Sequence, residues 1–180
     1  MKSAVVIALT TVGLFSLPAF AQENGTTDRP QAPSAAKMAP IGPVAVGGPW
    51  NEFSFGGTGS LARGCAPADP GGSGCEPSSS GNSHFVGAPP WTVVAPSDGL
   101  TLTVTDAFQK GDTFEVLDMG IPIGSTSAVP TNSASWGSDP VPCLADPTMS
   151  HGVFQLGPGP HSITLKATTS PDYSRRVRIQ

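Results

Sequence analysis

The chain has little charge and few aromatic residues. Charged residues make up 12% and aromatic residues 7%, with a single tyrosine. The formal net charge is −4, and an acidic, sparsely charged surface excludes binding to nucleic acid or anionic lipid by bulk electrostatics. Helical patterning is also missing. Beyond the N-terminal segment, no window of eleven or more residues carries an apolar stripe at helical spacing, which argues against a helical fold. Cysteine is scarce, with only Cys65, Cys75 and Cys143. They lack C-x₂-C spacing, and no histidine stands beside a cysteine pair, so a zinc site is not expected. There is no G-x-S-x-G elbow and no D-x-D-x-D-G series, which removes the usual sequence grounds for an α/β-hydrolase or a calcium loop.

Glycine and proline, by contrast, are abundant, at 22 and 20 residues. Such a level alone would fit disorder, but the apolar residues are grouped into short alternating runs. The N-terminus is the one long apolar stretch. Met1-Lys2 precedes a run from Ala4 to Phe15, followed by Leu17-Pro18-Ala19-Phe20-Ala21. A basic start, an apolar stretch too short to span a bilayer and a small-x-small end make an export leader, with cleavage expected after Ala21. No second run of spanning length follows, so no membrane anchor is expected after cleavage. Removing residues 1–21 takes away Lys2 and brings the formal charge to −5. The expected location is secreted or periplasmic.

Residues 22–46 are rich in Pro, Ala, Thr and Ser without apolar periodicity, and read as a flexible linker. Asn24-Gly25-Thr26 is a glycosylation sequon, relevant only in a eukaryotic host. Residues 47–180 read as one domain. Trp50 to Phe55 is strand-like, and Gly56 to Gly81 is a long loop dense in Gly, Pro and Ser. Cys65 and Cys75 flank part of that loop and are expected to close it as a disulfide in an oxidising compartment, leaving Cys143 as the odd thiol; the alternative is that Cys143 pairs with one of those two.

Strand signals then come in series. Trp91 to Ala95 is β-branched and aromatic. Leu100, Leu102 and Val104 alternate with Thr101, Thr103 and Thr105. Thr113 to Asp118 repeats the pattern, and Ile121-Pro122-Ile123 resumes it, with Pro122 confining that piece to an edge or a strand start. After a polar loop over 125–150 come Val153 to Leu156, then His161 to Thr168, then Tyr173 to Ile179. In the last of these Tyr173, Val177 and Ile179 share one face and Arg176 and Arg178 the other, with Arg175 on the apolar side. About seven or eight such strands without helices imply an all-β fold, an antiparallel β-sandwich of jelly-roll-like character.

The segment from Asp106 to Ile179, reading DAFQKGDTFEVLDMGIPIGSTS and then CLADPTMSHGVFQLGPGPHSITLKATTSPDYSRRVRI, resembles a group of exported bacterial β-sandwich proteins of the PEP-CTERM-associated type. The resemblance implies a β-sandwich without enzymatic activity. The chain departs from that group in having no Pro-Glu-Pro motif with an apolar span and basic end after Ile179, so sorting-tail anchoring is not implied. It also lacks the second cysteine the resemblance leads one to expect between Trp136 and Cys143.

Candidate site residues are few. Ser150, His151 and Asp146 form a triad on paper only, since triads are defined by geometry rather than nearness in sequence. His84, His151 and His161 stand at the starts of strand-like segments and are expected to bond locally rather than share a metal. Asp98, Asp106, Asp112, Asp118, Asp139 and Asp146 lie mostly in turns. Turn chemistry is their default role, and a structural calcium ion is a minor alternative. Trp50 and Trp91 adjoin strands and belong with the core. Trp136 lies in a polar Ser/Gly/Asp loop, where an exposed indole can stack on a sugar ring; packing over a sheet edge is the alternative role, and Trp136 is the one candidate ligand contact. No catalytic residue, no metal ligand and no cofactor is expected. The function that fits is a non-catalytic binding or adhesion module with a polysaccharide or other cell-surface partner. The alternatives are a purely structural matrix component and, behind it, a hydrolase with dispersed catalytic residues.

Overall fold

A computed structural model describes residues 2–10, 44–65, 75–131, 134 and 137–171. Those residues form ten strands and one short helix. The strands are β1 (Lys2–Thr10), β2 (Trp50–Phe55), β3 (Arg63–Gly64), β4 (Ser83–Phe85), β5 (Trp91–Ala95), β6 (Leu100–Thr105), β7 (Thr113–Asp118), β8 (Ile121–Ser125), β9 (His151–Leu156) and β10 (Gly159–Thr169). One sheet has the order β3-β2-β1-β6-β9, with β4 also paired to β2; the other has the order β5-β10-β7-β8. All pairings are antiparallel except that of β2 with β4. The all-β expectation holds.

Alternation decides which side of each strand is buried. Leu100, Leu102 and Val104 of β6 are buried while Thr101 and Thr103 are half-buried. Trp91, Val93 and Ala95 of β5, Phe114 and Val116 of β7, and Ile163, Leu165 and Ala167 of β10 follow the same period of two. These side chains and those of β2 and β9 form one apolar cluster, so the two sheets share a core. Its centre is aromatic. Phe55 meets Phe114 edge-on at 4.9 Å, and Phe53 lies 5.8 Å from Phe114 and 5.3 Å from Trp91. Trp91 donates its indole N–H to the Gly87 carbonyl at 2.7 Å, so its burial leaves no orphan donor.

Four features differ from the sequence expectation or extend it. Lys2–Thr10, read as leader, is laid between β2 and β6 as a strand, with Leu9 buried opposite Leu102. Val44, at the end of the expected linker, is buried and donates its N–H to the Thr92 carbonyl. The long loop after β2 contains the short strand β3, and β4 follows it. Finally, α1 (Pro140–Ala145) is a helix where none was expected. Asp139 caps it by accepting from the Val141 N–H, and Pro140 supplies a φ already suited to the first turn. Six residues fall below the span at which apolar periodicity reveals a helix. Pro122 sits on β8, which is an edge strand as its missing N–H requires.

Candidate functional site

Three loops meet at Ala134 and at Gly137 to Asp139. The loop over 106–112 links β6 to β7, a second lies before β4 at 78–82, and a third runs from β8 to α1. Phe108 donates its N–H to the Gly137 carbonyl at 2.9 Å, and Lys110 donates to the Ala134 carbonyl at 2.9 Å. The Ser79 N–H donates to Ser138 Oγ at 2.8 Å, and Asn82 Nδ2 donates to Asp139 Oδ1 at 2.9 Å. Residues 134 and 137–139 are therefore tied to two other loops. Trp136 itself lies outside the described residues, as do Ser135 and the stretch Asn132-Ser133.

The backbone of this cluster is strained at its middle. Phe108 adopts φ 67°, a region that bulky side chains rarely enter. Such conformations persist where the surroundings over-determine them, and they gather at binding and switching sites. Here the hydrogen bonds of Phe108 and Lys110 to the third loop supply that hold.

The acidic residues divide by location. Asp106 and Asp112 lie in the β6–β7 loop, Asp139 caps the start of α1 and Asp146 its end, whereas Asp98 lies in the turn before β6 and Asp118 is the last residue of β7. Asp106 Oδ2 accepts from the Asp112 N–H at 3.2 Å. Lys110 Nζ donates to Asp146 Oδ2 at 3.0 Å and to Thr148 Oγ1 at 2.6 Å. Hydrogen bonds from the Thr148 hydroxyl and N–H, with Lys110 behind them, hold the Asp146 carboxyl down to about 2. Burial raises the Asp139 carboxyl, but bonds from Asn82, the Val141 N–H and Ser80 outweigh it and leave the group below its ordinary value.

The paper triad is not assembled. Ser150 Oγ donates to the Asp112 carbonyl and accepts from Thr126 Oγ1, His151 Nδ1 faces the Met149 carbonyl, and Asp146 is held by Lys110 and Thr148. Two of the three histidines, His151 and His161, have local bonds. His161 Nδ1 lies 2.7 Å from Asp118 Oδ2 and its Nε2 lies 2.7 Å from the Gly157 carbonyl. Burial opposes charge on that ring, but the Asp118 and Gly157 bonds and the Asp118 charge prevail and raise its pKa.

Cys65 and Cys75 form a disulfide, as their spacing led us to expect. The bond fits an oxidising compartment outside the cytoplasm. Cys143 is free and fully buried, with its thiol donating to the Gly137 carbonyl at 3.3 Å. Burial, followed by the charges of Asp106, Asp139 and Asp146, pushes that thiol up to about 12. Among the described residues, Glu52 with Cys65 and Cys75 is the one group whose ligand atoms lie close enough to hold a metal, within 4.8 Å. The two sulfurs are bonded to each other, so neither is a thiolate donor. Among the described residues no helix is long and apolar enough to cross a membrane.

Sequence reasoning singled out Trp136 but missed the residues that frame it. Asn82, Ser79 and Ser138 lie in polar stretches that read only as loop, and nothing in their spacing pairs positions 57 or 59 residues apart. Asp139 before Pro140 was the legible signal, a cap residue followed by a first-turn proline. Compared with protein-family models, with curated proteins and with solved structures, the chain has no match.

Proposed function

We propose that this is an exported, non-catalytic β-sandwich of jelly-roll type that works as a binding or adhesion module, with the Trp136 loop cluster as its recognition surface. Polysaccharide is the ligand class. The single observation that carries the reading is the tethering of residues 134, 137, 138 and 139 to the loops at 108–110 and 79–82. A tryptophan between fixed flanks loses less conformational freedom on binding than one on a free loop. The strained Phe108 and the hydroxyl- and amide-rich rim at Ser79, Asn82 and Ser138 add to it. The leader-like N-terminus and the resemblance to exported sandwich proteins support export, and the Cys65–Cys75 bond agrees with it. A glycan array with the oxidised protein tests the ligand class. Binding that Trp136→Ala abolishes is expected; an array with no signal, or one that Trp136→Ala leaves unchanged, removes it.

A second reading, a structural matrix component that self-associates, draws on a different surface. The β7–β8 hairpin exposes Met119 in its turn and Ile121 and Ile123 on the edge strand β8, whose five residues are all exposed. An uncovered apolar edge is a template for pairing with another chain. Concentration-dependent assembly that Ile121→Lys suppresses would favour this reading.

A further inference from the structure

We propose that the dithiol form of the chain holds one zinc ion on Cys65 Sγ, Cys75 Sγ and the Glu52 carboxylate, and that the Cys65–Cys75 disulfide is the oxidised, metal-free state of the same site. A Glu52 carboxylate oxygen and the two sulfurs all lie within 4.8 Å of one another. A disulfide needs only two sulfurs; a carboxylate within reach of both is a third donor that the bond does not use. In tetrahedral zinc, with bonds of about 2.3 Å to sulfur and about 2.0–2.2 Å to oxygen, donor atoms stand roughly 3.4–3.8 Å apart. Once the S–S bond is cut, side-chain rotation lets the sulfurs part to that distance, since their Cα atoms are already 5.7 Å apart. Glu52 then has to approach by about 1 Å.

The backbone sets the donors in place. Phe53 and Phe55 of β2 lie in the apolar core, so by alternation Glu52 and Ser54 point to the other face of the sheet. Glu52 is nonetheless only 1% exposed, which shields its carboxylate from water. Cys65 is also buried and stands outside the core cluster. Val86 joins the two: its N–H donates to the Glu52 carbonyl at 3.2 Å, and its carbonyl accepts from the Cys65 N–H at 2.8 Å. Beside them, Phe53 pairs with Gly64, and Ser54 Oγ donates to the Gly64 carbonyl at 3.2 Å, tying β2 to β3. Two donors thus sit on a fixed frame, and the half-buried Cys75 brings the third. Among the described residues no further histidine, cysteine or carboxylate joins the group, so the fourth zinc position falls to water.

The donor set selects the metal. Magnesium and calcium take oxygen ligands, whereas two thiolates with one carboxylate suit zinc. Binding is coupled to protons: Cys65 and Cys75 each lose a thiol proton to solvent as the two Zn–S bonds form, and the ion offsets two of the three negative charges gathered there. It is also coupled to electrons. When a small-molecule disulfide oxidises the site, the two thiolates give up two electrons and join as the S–S bond. The oxidant takes those electrons and splits into two thiolates, and Zn²⁺ leaves. The sequence hides such a site, because the cysteines lack C-x₂-C spacing and Glu52 comes from a separate strand, β2.

Metal titration of the full chain tests the proposal. The protein is reduced with a phosphine rather than a thiol, then titrated with Zn²⁺ against a chromophoric chelator and with Co²⁺ for its spectrum. One zinc per chain is expected in the reduced form and none in the oxidised form. Cys75→Ser is expected to weaken zinc binding by on the order of 100-fold or more, and Glu52→Gln by about 10-fold or more, as much as or more than the loss of a ligand's outer hydrogen-bond partner costs. Cys143→Ala is expected to change nothing. Cobalt is expected to give four-coordinate bands with charge transfer from two sulfurs. Oxidised glutathione added to the zinc form is expected to release the metal as the disulfide returns. Should Glu52→Gln fail to fold, the cobalt spectrum of the unaltered chain decides. Zinc held equally by the oxidised form, no stoichiometric zinc in the reduced form, or an affinity that Cys75→Ser or a folded Glu52→Gln leaves unchanged overturns the proposal. So does dependence on Cys143 in place of Cys75, a six-coordinate cobalt spectrum, or one with a single sulfur.

Discussion

His161 and Asp118 meet at 2.7 Å across the β7–β10 ladder, and the second ring nitrogen of His161 faces the Gly157 carbonyl at the same distance. Two acceptors need two N–H donors, and only the imidazolium offers both. Asp118 also accepts from the Ser162 N–H at 2.9 Å, so the carboxylate is fixed in place. One charged ring thus joins the end of β7, the start of β10 and the turn before it.

The pH dependence follows from the sign of the shift. The pKa of His161 is raised in the folded chain, so its contribution is fully present below the unfolded value near 6.5 and is lost as pH rises through the folded value. Urea midpoints are expected to fall as pH rises from 6.5 toward the folded value. His161→Ala is expected to cost about 1–3 kcal/mol at pH 6 and to flatten the profile there. A wild-type midpoint unchanged across that window would contradict the pairing.

Asp139 joins two structures by one carboxylate, capping α1 through Val141 and accepting from Asn82. Asp139→Ala is expected to cost about 1 kcal/mol, and to raise hydrogen exchange at 79–82 as well as in α1. Faster exchange in α1 alone would mean that the tie to Asn82 carries no constraint. Because the carboxyl lies below its ordinary value, its contribution persists above the unfolded pKa and is lost as pH falls through the folded one.

Phe154 lies over two glycines, one from each sheet. A Cβ on Gly124 would stand 2.8 Å from its ring, and one on Gly152 would stand 2.7 Å away. Gly152→Ala is expected to destabilise the protein by about 1–3 kcal/mol through overpacking. Thermal or denaturant melts of that variant, and of Gly152→Ala combined with Phe154→Leu, check the cause. The double variant should recover part of the loss.

Cys143 is expected to be silent toward iodoacetamide at pH 8 in the folded protein and to react at one thiol per chain after unfolding without reductant. Burial and neighbouring carboxylates suppress its thiolate. Modification of the folded chain would show that α1 does not stay closed over it.

The strands that alternate cleanly were legible in the sequence. Leu100-Thr101-Leu102-Thr103-Val104 and Ile163-Thr164-Leu165-Lys166-Ala167 each state which side is buried, because the pleat and the pattern share a period of two. The Cys65–Cys75 bond was legible from spacing and expected compartment. β1 was not, because a short apolar run such as Val5 to Leu9 suits a leader and a buried strand equally well. The contacts that build the candidate site were also hidden. His161 and Asp118 are 43 residues apart, Asn82 and Asp139 57 apart, and both pairs exist only once distant strands and loops are brought together. Trp136, the residue chosen from sequence, lies outside the described residues, so the structure speaks for its neighbours.

Two-dimensional NMR of the oxidised protein titrated with soluble polysaccharides tests the recognition surface most directly. Saturable shifts confined to the amides of 78–82, 107–111 and 134–139, together with the indole of Trp136, are the expected result. Shifts centred on the β7–β8 hairpin around Ile121, or no shift with any polysaccharide, would contradict it.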